Sequence, residues 1–107
     1  MRRVSYACFD CRVAFKKDDF QCGEVTPCPN CGGDMHQMGW SFKAPRRRDA
    51  NQWKKVQILF AEGFRFFGEG HSDSEPLPEA LRDVPAFLQR HPDHRLRVAD
   101  RQPELLP

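Results

Sequence analysis

The chain has 107 residues, with 17 Lys and Arg against 15 Asp and Glu and a formal charge of +2. That balance is far from the strongly basic composition of a dedicated nucleic-acid binder. No apolar run is long enough to span a bilayer, and the opening Met-Arg-Arg-Val-Ser-Tyr lacks the apolar stretch of a signal peptide.

In chain order, Val4-Ser5-Tyr6-Ala7 reads as a short strand leading into Cys8-Phe9-Asp10-Cys11, and Arg12-Val13-Ala14-Phe15 as its hairpin partner. Lys16 to Thr26 is polar and reads as a loop. Cys28-Pro29-Asn30-Cys31-Gly32-Gly33 is a second knuckle, and Asp34-Met35-His36-Gln37-Met38 a third strand of weak alternation. Tyr6, Phe9 and Phe15 are expected to cover the knuckles, because so small a sheet needs large side chains to bury area.

The two C-x2-C pairs, Cys8 with Cys11 and Cys28 with Cys31, stand sixteen residues apart. Each pair sets two thiolates on one tight turn, and two such turns supply the four soft ligands of a tetrahedral zinc site. One structural Zn2+ is the cofactor expected. Iron in a rubredoxin-like site has the same ligand count and stays as the alternative, although Cys8-Phe9-Asp10-Cys11-Arg12 lacks the Pro and Gly usual in such knuckles. Cysteines spaced for metal, without a leader, point to a reducing cytoplasm. Cys22 is left over and reads as a free thiol.

Residues 40–48 form a connector, expected to be extended because Pro45 disfavours helix at Ala44. Asp49 reads as an N-cap and Ala50 to Glu62 as a helix, with Trp53, Val56, Leu59 and Phe60 on one buried face. Gly63 sits where a C-cap glycine belongs. Phe64-Arg65-Phe66-Phe67 follows as a short strand, more readily core than docking surface. From His71 the chain reads as a loop. Asp83 to Arg90 reads as a short helix capped by Asp83, with Pro85 in its first turn. Residues 92–107 lack periodicity and are expected to fray. His91-x2-His94 has metal-ligand spacing but no thiol or carboxylate partner in sequence.

The expected architecture is therefore small α+β: a four-cysteine zinc ribbon of three short antiparallel strands, packed with one amphipathic helix, a short strand and a short C-terminal helix. Its segments are the ribbon (1–39), a basic connector (40–48), helix and strand (49–70), loop and short helix (71–91) and a tail (92–107).

Residues 4–39 resemble the generic zinc ribbon of rubredoxin-like, ribosomal and transcription-associated proteins. Met38-Gly-Trp-Ser-Phe-Lys-Ala-Pro, Gln52-Trp-Lys-Lys-Val, Gly63-Phe-Arg-Phe and Val84-Pro-Ala-Phe-Leu together resemble a group of small bacterial zinc-ribbon proteins over residues 1–91. The resemblance implies that architecture and a bacterial origin, and carries over no catalytic residue.

Charge is segregated. Residues 1–66 hold twelve Lys and Arg against seven Asp and Glu, and residues 67–107 hold five against eight. Lys43, Arg46, Arg47, Arg48, Lys54 and Lys55, interleaved with Trp40 and Phe42, form the candidate nucleic-acid contact: guanidinium groups for phosphates, rings for unpaired bases. Three readings stay open: RNA, DNA or a ribonucleoprotein; an acidic protein partner; or a solvated surface over packed rings. No P-loop, dinucleotide fingerprint or H-E-x-x-H motif occurs, so a non-enzymatic binding module is expected. The alternatives are a protein-interaction adaptor docking through its aromatic helix–strand unit, and an iron electron carrier.

Overall fold

The structure is a computed structural model that describes residues 3–18, 25–39, 42–66, 77–94 and 96–107. It is α+β. Four strands, β1 (Arg3–Cys8), β2 (Val13–Asp18), β3 (Val25–Pro27) and β4 (Asp34–Gly39), form an antiparallel sheet in the order β2-β1-β4-β3. Two helices follow, α1 (Ala50–Ala61) and α2 (Val84–Arg90), with single 3-10 turns at Leu81–Asp83 and Pro103–Leu105.

The ribbon thus has four strands, where three were expected. The segment read as a loop contributes to two strands: β2 runs on to Asp18, and β3 adds an edge against β4 from Val25↔His36 to Pro27↔Asp34. Three residues are too few to display a period of two, which is why β3 left no pattern. The central strand is easier to explain. Every residue of β1 after Arg3 is buried. Val4, Tyr6 and Cys8 cluster with Cys28 and Met35 on one face, while Ala7 meets Met38, Phe42, Trp53, Val56 and Phe60 of the other. A strand covered on both sides has no reason to alternate in polarity.

Helix α1 forms as its sequence indicates. The Asp49 carboxylate accepts from the Gln52 amide at 3.2 Å, capping the N-terminus. Trp53, Val56, Leu59, Phe60 and Ala61 are buried. At the other end Gly63 adopts φ 103°, its amide donates to the Phe60 carbonyl, and the Phe64 amide reaches back to Leu59. This is a Schellman cap, with Phe64 and Leu59 supplying its apolar contact.

Three expectations are corrected. Of the segment after Gly63, the described residues Phe64 to Phe66 form no strand and Phe67 lies outside the described residues: Phe64 makes one antiparallel bridge, to Arg97, and the Phe66 amide donates to the Met38 carbonyl at 2.7 Å. β3 takes the β4 edge only from Asp34 to His36, and Phe66 meets β4 beyond that, at Met38. Asp83 makes no side-chain cap bond, because the 3-10 turn carries the chain directly into α2. The described residues of the tail fold back onto α1 instead of leading away. The Gln102 amide donates to Ala61, Val98 and Ala99 both donate to Gly63, and the Gln57 side chain donates to the Leu105 carbonyl. Those helix-end carbonyls lack partners inside the helix, and the tail supplies them without needing any periodicity. Glu62, 8% exposed, accepts from Arg97 at 3.0 Å and from both Nε and Nη2 of Arg101 at 2.8 and 2.9 Å. Two guanidinium groups offset an acid that the helix dipole disfavours at this end.

Among the described residues, no helix is long and apolar enough to cross a membrane.

Candidate metal centre and basic surface

The knuckles are two copies of one backbone device. In the first, the Arg12 amide donates to the Cys8 carbonyl at 2.8 Å; in the second, the Gly32 amide donates to the Cys28 carbonyl, also at 2.8 Å. The residue after each second cysteine is left-handed, Arg12 at φ 57° and Gly32 at φ 78°. Hairpin geometry brings the devices together: Cys8 ends β1, Val13 opens β2, and Cys28 follows β3.

All four Sγ atoms lie within 4.8 Å of one another, and Cys8 and Cys31 Sγ are 3.7 Å apart. Tetrahedral thiolates at a Zn–S length of about 2.3 Å stand about 3.8 Å apart. The Cys8–Cys31 separation matches that spacing, and none of the other pairs exceeds 4.8 Å. Sulfur-directed donors are in place as well: the Cys11 amide toward Cys8 Sγ at 3.4 Å, the Gly33 amide toward Cys31 Sγ at 3.4 Å, and Asn30 Nδ2 toward Cys11 Sγ at 3.3 Å. Such donors stabilise thiolate over thiol and orient the ligands. The four cysteines are therefore placed to bind a metal ion, and among the described residues no other group of His, Cys, Asp or Glu is so arranged.

Protonation differs around the cage. Burial pushes the Cys8 thiol up to about 12. At Cys28 burial acts the same way, but hydrogen bonds from the amides of Cys31 and Asn30 and from the Cys31 and Cys8 side chains together bring the thiol down to about 7. Exposure is uneven too. Cys8 and Cys28 are buried, Cys11 is half-buried and Cys31 is exposed, so one edge of the centre faces solvent.

Tyr6 joins the cysteine cluster as expected. Phe9 and Phe15 do not. Phe9 turns toward the helix, stacking on His36 with centroids 5.7 Å apart and meeting the Phe60 ring edge-on. Phe15 is 37% exposed. Met35 and Met38 are core, both fully buried.

The connector residues separate into distinct roles. Phe42 is 7% exposed, packed with Trp53 and Val56 and tilted against Phe66 at 5.2 Å. Its ring is core, which corrects its assignment as a base-stacking face. Lys43, Arg46, Arg47, Arg48 and Lys54 are exposed. Lys55 is half-buried and donates to the Glu79 carbonyl at 3.3 Å, with burial lowering its pKa. Lys43, Arg46 and Lys55 line a cleft of about 460 Å3 whose apolar wall includes Phe42, Val56 and Leu59. Arg47 makes a different contact, donating from Nε to the Cys11 carbonyl at 3.0 Å. The connector is fixed at Arg46, whose carbonyl accepts from Trp53 Nε1 at 3.0 Å and from the Asp49 amide at 2.9 Å. Trp40, Cys22 and His71 lie outside the described residues.

His91 and His94 do come together, with ring centroids 6.0 Å apart, but within an aromatic group around Phe87 and Phe64. His94 Nδ1 accepts from the Leu96 amide at 3.1 Å. Their spacing serves packing.

Sequence reasoning missed Asn30 as a donor to sulfur and the Glu62 clasp on Arg97 and Arg101. Asn at the third position of a knuckle was a legible signal for the first. Nothing in the sequence pairs an acid with arginines about forty residues on.

No family model, curated protein or solved structure matches the chain.

Proposed function

We propose that the chain is a zinc-stabilised, non-enzymatic binding module that contacts RNA through the connector. A four-thiolate cage with amides turned toward sulfur suits zinc, which has no geometric demand beyond the tetrahedron the knuckles offer. In this role the metal closes a small fold and does not enter a reaction.

The observation that carries the RNA reading is the state of the cations. Lys43, Arg46, Arg48 and Lys54 are exposed, and among the described residues no carboxylate lies within ion-pair distance of them. They stand on a backbone held at the Arg46 carbonyl by Trp53. Exposed guanidinium groups on an ordered segment can bridge phosphates with little loss of side-chain freedom, and counterion release favours the contact. The adaptor reading draws less support, since Trp53, Phe60 and Phe64 are 3%, 3% and 0% exposed.

The test is fluorescence anisotropy of zinc-loaded protein with a labelled structured RNA across a salt series. Micromolar or tighter binding that weakens with a log–log slope of about −3 or steeper is the expected result. No binding at low salt overturns the reading.

A further inference from the structure

We infer that Arg12 joins Arg46, Arg47 and Arg48 in one phosphate-binding face, built across the first metal knuckle and not on the connector alone. The inference rests on the reading of the connector as an RNA contact and names a residue and a geometry that this reading lacks.

Arg47 is the joint. Its Nε donates to the Cys11 carbonyl at 3.0 Å, and Cys11 is the residue immediately before Arg12. Connector and knuckle are thereby fastened at the point where both carry a guanidinium group. Arg12, Arg46, Arg47 and Arg48 are all exposed. Among the described residues, none has a carboxylate within ion-pair distance.

The backbone gives the second line of argument. The knuckles are closed by the same backbone turn bond, and the left-handed position is Gly32 in one and Arg12 in the other. Glycine takes that conformation without penalty, whereas a residue with a Cβ is strained there. The first knuckle accepts strain that the second avoids, and what it gains is a charged residue next to Cys11, whose carbonyl Arg47 holds. Strain held at one of two equivalent positions marks a site where the side chain has work to do. Countercharge for the thiolates is a competing account, but the second knuckle manages with the Gly33 amide on Cys31 and no cation at Gly32.

Arg12→Gly separates these accounts, because it removes the charge and relieves the strain together. Three quantities are measured on zinc-loaded protein: metal stoichiometry, thermal midpoint, and affinity for the same labelled structured RNA across the salt series. Expected are one metal per chain, a midpoint equal to or above the parent's, and an RNA affinity lower by roughly threefold to tenfold with a salt slope shallower by about one contact. Loss of RNA affinity in a variant at least as stable as the parent is not what a structural residue produces. If Arg12→Gly binds RNA like the parent while Arg46→Ser/Arg48→Ser does not, the inference fails and the connector reading stands. If Arg12→Gly loses its metal, the charge serves the thiolates and the inference fails. If the parent itself does not bind RNA, both fall.

Discussion

Gly63 and Ala99 approach so closely that a methyl group on Gly63 would stand well inside contact distance of the Ala99 carbonyl oxygen. The same glycine is left-handed and closes α1. Gly63→Ala therefore combines backbone strain with a clash against main chain, which cannot rotate away. The expected cost is about 2 kcal/mol or more, read as a lower denaturant midpoint at unchanged slope. An unchanged midpoint would mean that the tail does not sit over the helix end.

Glu62 is the ionic half of that same closure. Glu62→Gln keeps the shape but gives up the charge that holds Arg97 and Arg101. Hydrogen bonds to charged groups contribute about 1.5–3 kcal/mol when desolvated, and Arg101 is largely exposed, so a loss on the order of 2 kcal/mol is expected. Hydrogen exchange should show the added opening at the amides of Val98, Ala99 and Gln102, which bond to the end of α1. Protection there equal to the parent's would assign the tail's order to its backbone bonds alone.

Cys28→Ser tests the metal centre. One zinc per chain is expected in the parent by elemental analysis, and a strong visible absorption band would identify iron instead. The variant should lose metal and unfold at a markedly lower temperature, since metal binding and folding are coupled. Equal stoichiometry and midpoint would remove Cys28 from the ligand set. With the Cys8 thiol held at about 12 by burial, metal must displace its proton at neutral pH. Metal affinity should rise with pH, with proton release measurable by calorimetry in buffers of different ionisation enthalpy.

His36 gives a pH dependence of separate origin. Burial between Phe9 and Phe60 lowers its pKa below 6.5; Asp34 and Asp10 oppose the shift and Arg65 adds to it. The unfolded chain therefore binds the proton more readily. The stability that neutral His36 contributes is complete above pH 6.5 and is lost as the pH falls from there through the folded pKa. His36 lines a cavity of about 440 Å3 with Gln37 and Arg65, so the proton has access. His36→Phe should flatten the decline in stability between neutral and mildly acidic pH. Parallel declines in variant and parent would assign the effect to the thiolates.

Trp53 spans core and connector, its ring buried and its Nε1 on the Arg46 carbonyl. Trp53→Ala is expected to cost roughly 3–5 kcal/mol. A cost below about 0.5 kcal/mol would place the ring outside the core.

Legibility in the sequence followed from how local each signal is. The metal centre was readable because four ligands in two short motifs need only their spacing, and α1 because Asp49, its apolar face and Gly63 all agree. What stayed hidden depends on distant partners. Phe64 to Phe66 carries β-prone residues, yet whether a strand forms is decided by which sheet edge is open. Phe42 looks the same in sequence whether it faces a base or Trp53. The tail's order comes from the unsatisfied carbonyls of Ala61 and Gly63, and no pattern within residues 92–107 could report it.

The clasp at the end of α1 also has a consequence for synthesis. Glu62 and Arg97 are 35 positions apart, so a growing chain exposes the finished helix well before its closing partners exist. During that interval the Ala61 and Gly63 carbonyls must be solvated and the Glu62 carboxylate has no guanidinium. Translation thus sets the order of events: the knuckles can take up metal early, while completion of the helical half waits for residues 97 to 105 to emerge.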